Sequence, residues 1–332
     1  MLSLQKIIDK TPKSWTLPIN SNDPMEMVIE KMEKFGIIND ENLQKYRLIF
    51  KGFSMFVRNI WPSGDQESLV LGTQFFIFSV IFDDLIDTNE PEFGMKKINR
   101  AINIFKLGKL EEDATPLERI AFDLKESLEH RVGDQHPLLN VFRNAFIDYF
   151  DNLMPWQNIK KLDGDMSMNL YYNMRRHNIG MVPTFSLSAL FIMKRLNSDI
   201  ILDPLWKSLI DHSGNICALY NDIFSYEKEL REKDERMNSF HFMKTQNNWS
   251  DQECLDFMDK EFDKCFEQYF IHENLIKQKF IPILKNKEDQ EEFIEIVDHF
   301  HTVVSAVVAL YLVKPNYKSP NSIFVELRTK IQ

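Results

Sequence analysis

Three features of the sequence predict an all-α fold. Apolar residues recur at helical spacing almost throughout, and strand-like alternation is nowhere sustained. The patterns stop at Asp, Ser, Pro or Gly, as near 89–91, 134–137 and 203–204, which is how helices end. Only ten glycines occur, and no Gly/Ser- or Pro-rich linker divides the 332 residues, so one domain over 1–332 is expected. Taken in order, the apolar periodicity predicts helices over 23–34, 41–57, 66–88, 94–107, 115–131, 137–153, 166–179, 182–194, 204–230, 250–270 and 289–313. The first forty or so residues carry no usable motif. The very polar stretch 231–238 reads as an exposed loop or a mobile lid.

Composition narrows the function. The net charge of −10 argues against nucleic acid as a partner, since that needs a basic face. It also makes an anionic substrate awkward unless metal cations bridge it to carboxylates. Cys217, Cys254 and Cys265 show no metal-ligand spacing, which argues against a disulfide framework or zinc and suits a reducing, cytoplasmic setting. The opening MLSLQKIIDK lacks the apolar core of a signal peptide. The most apolar runs, 70–82 and 303–313, are shorter than the roughly 20 residues that span a bilayer and read as buried helices. With 27 phenylalanines, the chain holds more of these rings than an ordinary core requires; either the core is Phe-rich or some rings line a cavity.

Two stretches carry oxygen ligands at helical spacing. In Phe82-Asp83-Asp84-Leu85-Ile86-Asp87, Asp83 and Asp87 share one face at the end of a very apolar helix. Carboxylates are disfavoured at a helix C-terminus by its dipole, so clustering three there costs stability and suggests a function. In Asn221-Asp222-Ile223-Phe224-Ser225-Tyr226-Glu227-Lys228-Glu229, Asn221, Ser225 and Glu229 fall at i, i+4 and i+8. All are hard oxygen donors of the kind Mg²⁺ takes. Asn and Ser are poor choices inside a helix on propensity alone. Glu227 lies off that face, so Glu227→Ala is expected to be near neutral.

DDLID followed far downstream by NDIFSYEKE resembles the paired metal motifs of microbial class I terpene synthases, the fungal and social-amoeba members in particular. The likeness in layout runs from about residue 40 to the C-terminus. It implies a helical bundle with a central active-site cavity, and three Mg²⁺ ions (or Mn²⁺) held around a substrate diphosphate by facing helices. It assigns Asp83, Asp87, Asn221, Ser225 and Glu229 as metal ligands, Asp84 as a supporting residue, and Lys228 as a diphosphate contact. The substrate would be a linear isoprenyl diphosphate, C15 farnesyl diphosphate first and C20 geranylgeranyl diphosphate second; a homodimer is allowed for.

A third segment, Met174-Arg175-Arg176-His177-Asn178-Ile179-Gly180-Met181-Val182-Pro183, predicts a broken helix. Gly180 weakens it, and Pro183 brings no N–H to the carbonyl of Ile179. Straightening it with Gly180→Ala and Pro183→Ala is expected to preserve or raise stability. By the same resemblance, Arg175 is the diphosphate-sensing arginine, Ile179 supplies a carbonyl aimed at the substrate, and Asn178 links the two. Near the C-terminus, where many members carry an Arg-Tyr pair, this chain reads Lys314-Pro315-Asn316-Tyr317-Lys318. Tyr317 is retained as a diphosphate contact, with Lys314 or Lys318 in place of the arginine or no cation at all. Phe76, seven residues before Asp83, is the first choice of ring to face a cation. Phe53, Phe56 and Tyr311 follow.

Other readings are distinguishable. A chain-elongating prenyltransferase uses two aspartate-rich motifs, and only one is present. A class II cyclase needs DxDD, which Asp163-Gly164-Asp165-Met166 does not supply. An all-α binding protein or an inactive relative would not need intact ligands at every main position.

Overall fold

In a computed structural model, described for residues 1–87, 91–159, 166–232 and 238–329, the backbone is helical or irregular, and β structure is limited to isolated bridges. The all-α prediction holds. Two compact units form, each described below by itself.

One unit comprises Pro18–Ile159 and Val182–Ser198. It contains α2 (Met25–Lys34), α3 (Leu43–Ile60), α4 (Gln66–Asp87), α5 (Pro91–Leu107), α6 (Pro116–Val132), α7 (Pro137–Ile159) and nearly all of α9 (Met181–Ile192). Its core explains the phenylalanine count. Phe75, Phe78 and Phe82 on α4 interdigitate with Phe142, Phe146 and Phe150 on α7, with centroids 5.1–6.0 Å apart and rings tilted or edge-to-face. Phe105 on α5 closes the stack at 4.8 Å from Phe146. Such pairs contribute about 0.5–1.5 kcal/mol each beyond buried area. Phe82 ends the ladder one residue before Asp83, so ring packing fixes the end of α4.

Close approach decides a glycine in the same unit. A Cβ at Gly72 would lie 1.9 Å from Trp61 Cζ3. That space is taken by the Trp61 ring, 1% exposed, whose Nε1 donates to Ser188 Oγ at 3.0 Å. α6 starts on a Thr115 capping box with Glu118 and Pro116 in its first turn, the boundary its sequence predicts.

The other unit comprises Met1–Leu17, Lys160–Met181 and Asp199–Gln332. It holds α1 (Gln5–Ile8), α8 (Met168–Asn178), α10 (Asp199–Leu202), α11 (Pro204–Glu232), α12 (Ser239–Asn247), α13 (Asp251–Phe280) and α14 (Lys287–Val313). α11 is the central element, packed by α8, α12, α13 and α14. The N-terminal residues dock here despite their lack of a motif. Leu4 and Ile7 are buried, Leu2 bridges Phe324, and Tyr220 Oη donates to the Ile7 carbonyl at 3.0 Å.

Three features differ from expectation: a helix that was not predicted, one boundary, and the apolar length of the last helix, which itself lies where predicted. α12 is only nine residues long, too short for its period to stand out. α13 runs to Phe280 rather than 270, because no breaker intervenes before Pro282. The apolar run 303–313 is the end of a continuous 27-residue helix, α14, long and apolar enough to cross a membrane by length and composition. Most of that apolar stretch is buried inside the unit, as in a core helix.

Candidate active site

Asn221, Ser225 and Glu229 lie along α11, which runs unbroken through all three. Ser225 is 2% exposed, and the other two are partly buried. Arg175, in the last turn of α8, reaches them. Its Nη2 donates to Asn221 Oδ1 at 2.8 Å and to Asp222 Oδ1 at 3.2 Å, and its Nη1 to Asn178 Oδ1 at 3.4 Å. Burial works against the Arg175 charge, but Asp222, with Tyr171 and Glu229 beside it, outweighs that and holds the guanidinium above its ordinary value. Asn178 sits beside Arg175, and its Nδ2 is buried without a hydrogen-bond partner among the described residues.

Glu229 is the electrostatic focus. Burial pushes its carboxyl up to about 7, and the negative charge of Asp222 adds to this; hydrogen bonds from Ser225 and Asn238 and the charge of Arg175 pull the other way. Three oxygen donors, one of them a carboxylate short of positive charge, make a donor set that fits a hard divalent cation.

Two residues of this network carry no role in the sequence reading. Asp222, 2% exposed, accepts from Tyr171 Oη at 2.7 Å and from the Ser239 amide at 2.6 Å as well as from Arg175. Asn238, 1% exposed, donates from Nδ2 to Glu229 Oε2 at 2.9 Å and to the Asp222 carbonyl at 2.7 Å. Its Oδ1 accepts from the Phe240 and His241 amides and so caps α12. In the sequence, Asn238 was only the last residue of the polar stretch 231–238, and Tyr171 carried no signal of its own.

The broken helix is found where expected, with a different division of labour. α8 ends at Asn178, Ile179 follows, and Gly180 adopts φ +75°, the left-handed region that favours glycine. Gly180 makes the break. Pro183 lies in the first turn of α9, where a missing N–H costs little, so the expectation that straightening is free is wrong at Gly180. On α11, a Cβ at Gly214 would meet Met181 and Ile179 at ordinary contact distance, so α11 runs close beside the break.

Two further expectations change. Glu227 is no bystander: it accepts from Ser322 Oγ and, at 2.9 Å, from the Ile323 amide, and so ties the C-terminal segment to α11. Of the two lysines offered in place of the missing arginine, Lys318 is already engaged: its Nζ donates to the Glu326 carbonyl at 2.6 Å, and burial lowers its pKa. The Lys314 Nζ lies 5.5 Å from the Tyr317 ring centroid, and Arg231 Nη2 donates to the Asn316 carbonyl at 3.2 Å. Lys228 pairs with Glu232 at 3.1 Å. Tyr317 is buried and meets Tyr311 edge-on at 5.0 Å.

In the phenylalanine-rich unit, Asp83 is partly buried on α4. The side chains of Asp84 and Asp87, and residues 163–165 and 233–237 of the acidic and lid readings, lie outside the described residues. Phe76 is partly buried in an aromatic cluster, 5.1 Å from Phe56 and 4.9 Å from Phe75. A polar cleft of about 490 Å³ opens in this unit beside Lys125, Glu129, Asp134 and Arg143. None of the predicted site residues lines it, and its charges pair among themselves, as in Lys125–Glu129 at 2.6 Å.

Comparison with known proteins agrees with this geometry. Residues 74–268 match the model of terpene synthase family 2, C-terminal metal binding. Terpene synthase 2 of Dictyostelium discoideum is 30% identical, over 98% of this chain and 94% of its own. Terpene synthase 1 of Cavenderia fasciculata is 25% identical, over 99% and 96%. Among solved structures, a-eudesmol synthase superposes with a TM-score of 0.76 at 14% identity, over 90% of this chain and 96% of its own. Hedycaryol synthase in complex with nerolidol gives 0.72 at 15%, over 89% and 96%. The chain belongs to terpene synthase family 2. It is an enzyme, a class I terpene synthase of the helical terpenoid synthase fold.

Proposed function

We propose that the enzyme ionises farnesyl diphosphate and cyclises or rearranges the resulting cation to a sesquiterpene. The observation that supports this most is the network around α11, in which the oxygen donors Asn221, Ser225 and Glu229 share one helix face and are tied to the guanidinium of Arg175 from α8, to Asp222, and to Asn238 before α12. Fold neighbours that are sesquiterpene synthases favour the C15 substrate.

In the reaction, the C1–O bond of the allylic diphosphate breaks heterolytically. The electron pair leaves with diphosphate, an allylic cation remains, and loss of a proton or capture of water ends the sequence. Asn221, Ser225 and Glu229 on α11 would hold Mg²⁺, with Mn²⁺ as an alternative and three ions expected from the family resemblance; Asp83 and Asp87 are proposed as further Mg²⁺ ligands on α4. When bound, the metal offsets the charge that builds on the leaving diphosphate. Arg175, anchored beside Asp222, supplies positive charge to the same oxygens by turning toward them from Asn221. Lys228 adds a second positive group by leaving Glu232. Tyr317 contacts the diphosphate, and Asn178 with the Ile179 carbonyl orients the ionising end. Phe76 presents a ring face to the cation. The enzyme is proposed to work in the cytoplasm.

Incubation with C10, C15 and C20 diphosphates plus Mg²⁺, with analysis of volatile products, tests this reading. The expected result is a C15 hydrocarbon or alcohol and one diphosphate per turnover, without isopentenyl diphosphate. Turnover that requires a second isoprenyl substrate, or product from C20 alone, contradicts it.

A further inference from the structure

A carboxamide has two unlike ends, and only its oxygen takes a hard cation. Rotation about the final side-chain torsion of Asn is soft and nearly two-fold, so partners must decide which end points where. At Asn221 they do. Arg175 is a pure donor, which makes the atom 2.8 Å from its Nη2 the amide oxygen. The other end donates from Nδ2 to Tyr311 Oη at 2.7 Å.

The tyrosine is itself well held. It lies in the last turn of α14. Phe224, three residues after Asn221 on α11, stacks on its ring with centroids 5.6 Å apart and planes at 18°. Tyr317, from the short turn Pro315–Tyr317, meets the ring edge-on at 82°. The ring cannot swing without disturbing both. The hydroxyl therefore has a defined position, and the defined position is against the nitrogen of a proposed ligand.

Arg175 and Tyr311 differ in permanence. If Arg175 turns to the diphosphate during turnover, it releases the Asn221 oxygen. Tyr311 then remains as the group that prevents the amide from turning over and presenting its NH₂ to a cation. We propose that Tyr311 is a positioning residue whose hydroxyl keeps the Asn221 carboxamide aimed, oxygen first, at the metal. The proposal rests on the assignment of Asn221 as a ligand. It gives Tyr311 a role distinct from that of a ring lining the pocket.

The test is calorimetric titration of Mn²⁺ into the full-length protein with inorganic pyrophosphate, which reads metal affinity without turnover. Hydrogen-bonding partners of metal ligands typically change affinity by about 10–100-fold, so Tyr311→Phe should weaken Mn²⁺ binding by about 10-fold. Its helical content and melting temperature should stay close to wild type. In an Asn221→Asp background both ends of the ligand are oxygen, and adding Tyr311→Phe should cost little more. Unchanged Mn²⁺ affinity in Tyr311→Phe, with Asn221→Ala impaired, overturns the proposal and leaves the ligand assignment standing. An equal loss in the Asn221→Asp background overturns it too, since orientation is then not what the hydroxyl supplies. Unchanged affinity in Asn221→Ala removes the ligand assignment and the proposal with it.

Discussion

Asp222 is a buried carboxylate that answers to three donors from two segments: Tyr171 and Arg175 on α8, and the Ser239 amide at the start of α12. Asp222→Asn keeps the shape but turns one acceptor into a donor that faces donors. Hydrogen bonds to charged groups are worth about 1.5–3 kcal/mol each, so stability should fall by about that amount and turnover by at least about 10-fold. A variant with wild-type melting and wild-type kinetics would show that Arg175 does not depend on Asp222. Glu227→Ala should behave differently. It frees the Ile323 amide and Ser322 hydroxyl and should lower stability by about 1–3 kcal/mol, a loss read by urea denaturation, with kcat largely retained. The residue scale also shows what spacing can and cannot carry. Asn221, Ser225 and Glu229 were legible because their relation is local, one turn apart on one helix. Asp222, Asn238 and the hydroxyl role of Tyr311 were not, because their partners come from segments remote in sequence.

At the scale of elements, the buried His299 on α14 and the partly buried His212 on α11 give the second unit an acid weakness. Burial lowers His299 to about 3, and burial with neighbouring His272 and Arg176 lowers His212 to about 4, both from 6.5. A group whose folded pKa is depressed contributes stability above its unfolded pKa and loses it as pH falls toward the folded value. The melting temperature should therefore drop as pH goes from about 6.5 toward 4, and His299→Gln should flatten that slope. An identical slope in the variant would place the acid sensitivity elsewhere. The α8–α9 break was legible as a break, since Gly and Pro both punctuate helices, but the sequence could not say which of them sets it. With Gly180 at φ +75°, a side chain there costs about 1–2 kcal/mol. Gly180→Ala should thus lower the melting temperature, whereas Pro183→Ala alone should not. The reverse ranking would contradict the observed backbone. The Phe ladder between α4 and α7 was legible only as an excess of Phe, because composition does not reveal which rings meet.

At the scale of the whole molecule, the fold class and the family came from periodicity and two motifs. The assembly of the ends did not. Residues 1–17, without a motif, dock on the unit that holds α11, where Leu2 pairs with Phe324 and Lys6 with Asp259 at 2.6 Å. No local pattern announces such a clasp, since each partner supplies only a few ordinary side chains.

The central claim is that oxygen donors on α11 hold a divalent cation without which the diphosphate does not leave. The most direct measurement is diphosphate release from farnesyl diphosphate, for the wild-type enzyme with Mg²⁺ and with EDTA, and for Asn221→Ala, Ser225→Ala and Glu229→Ala with Mg²⁺. The account predicts release only with the metal, and a loss of about 100-fold or more in each variant while helical content is unchanged. Full release in EDTA, or wild-type rates in all three folded variants, would contradict it.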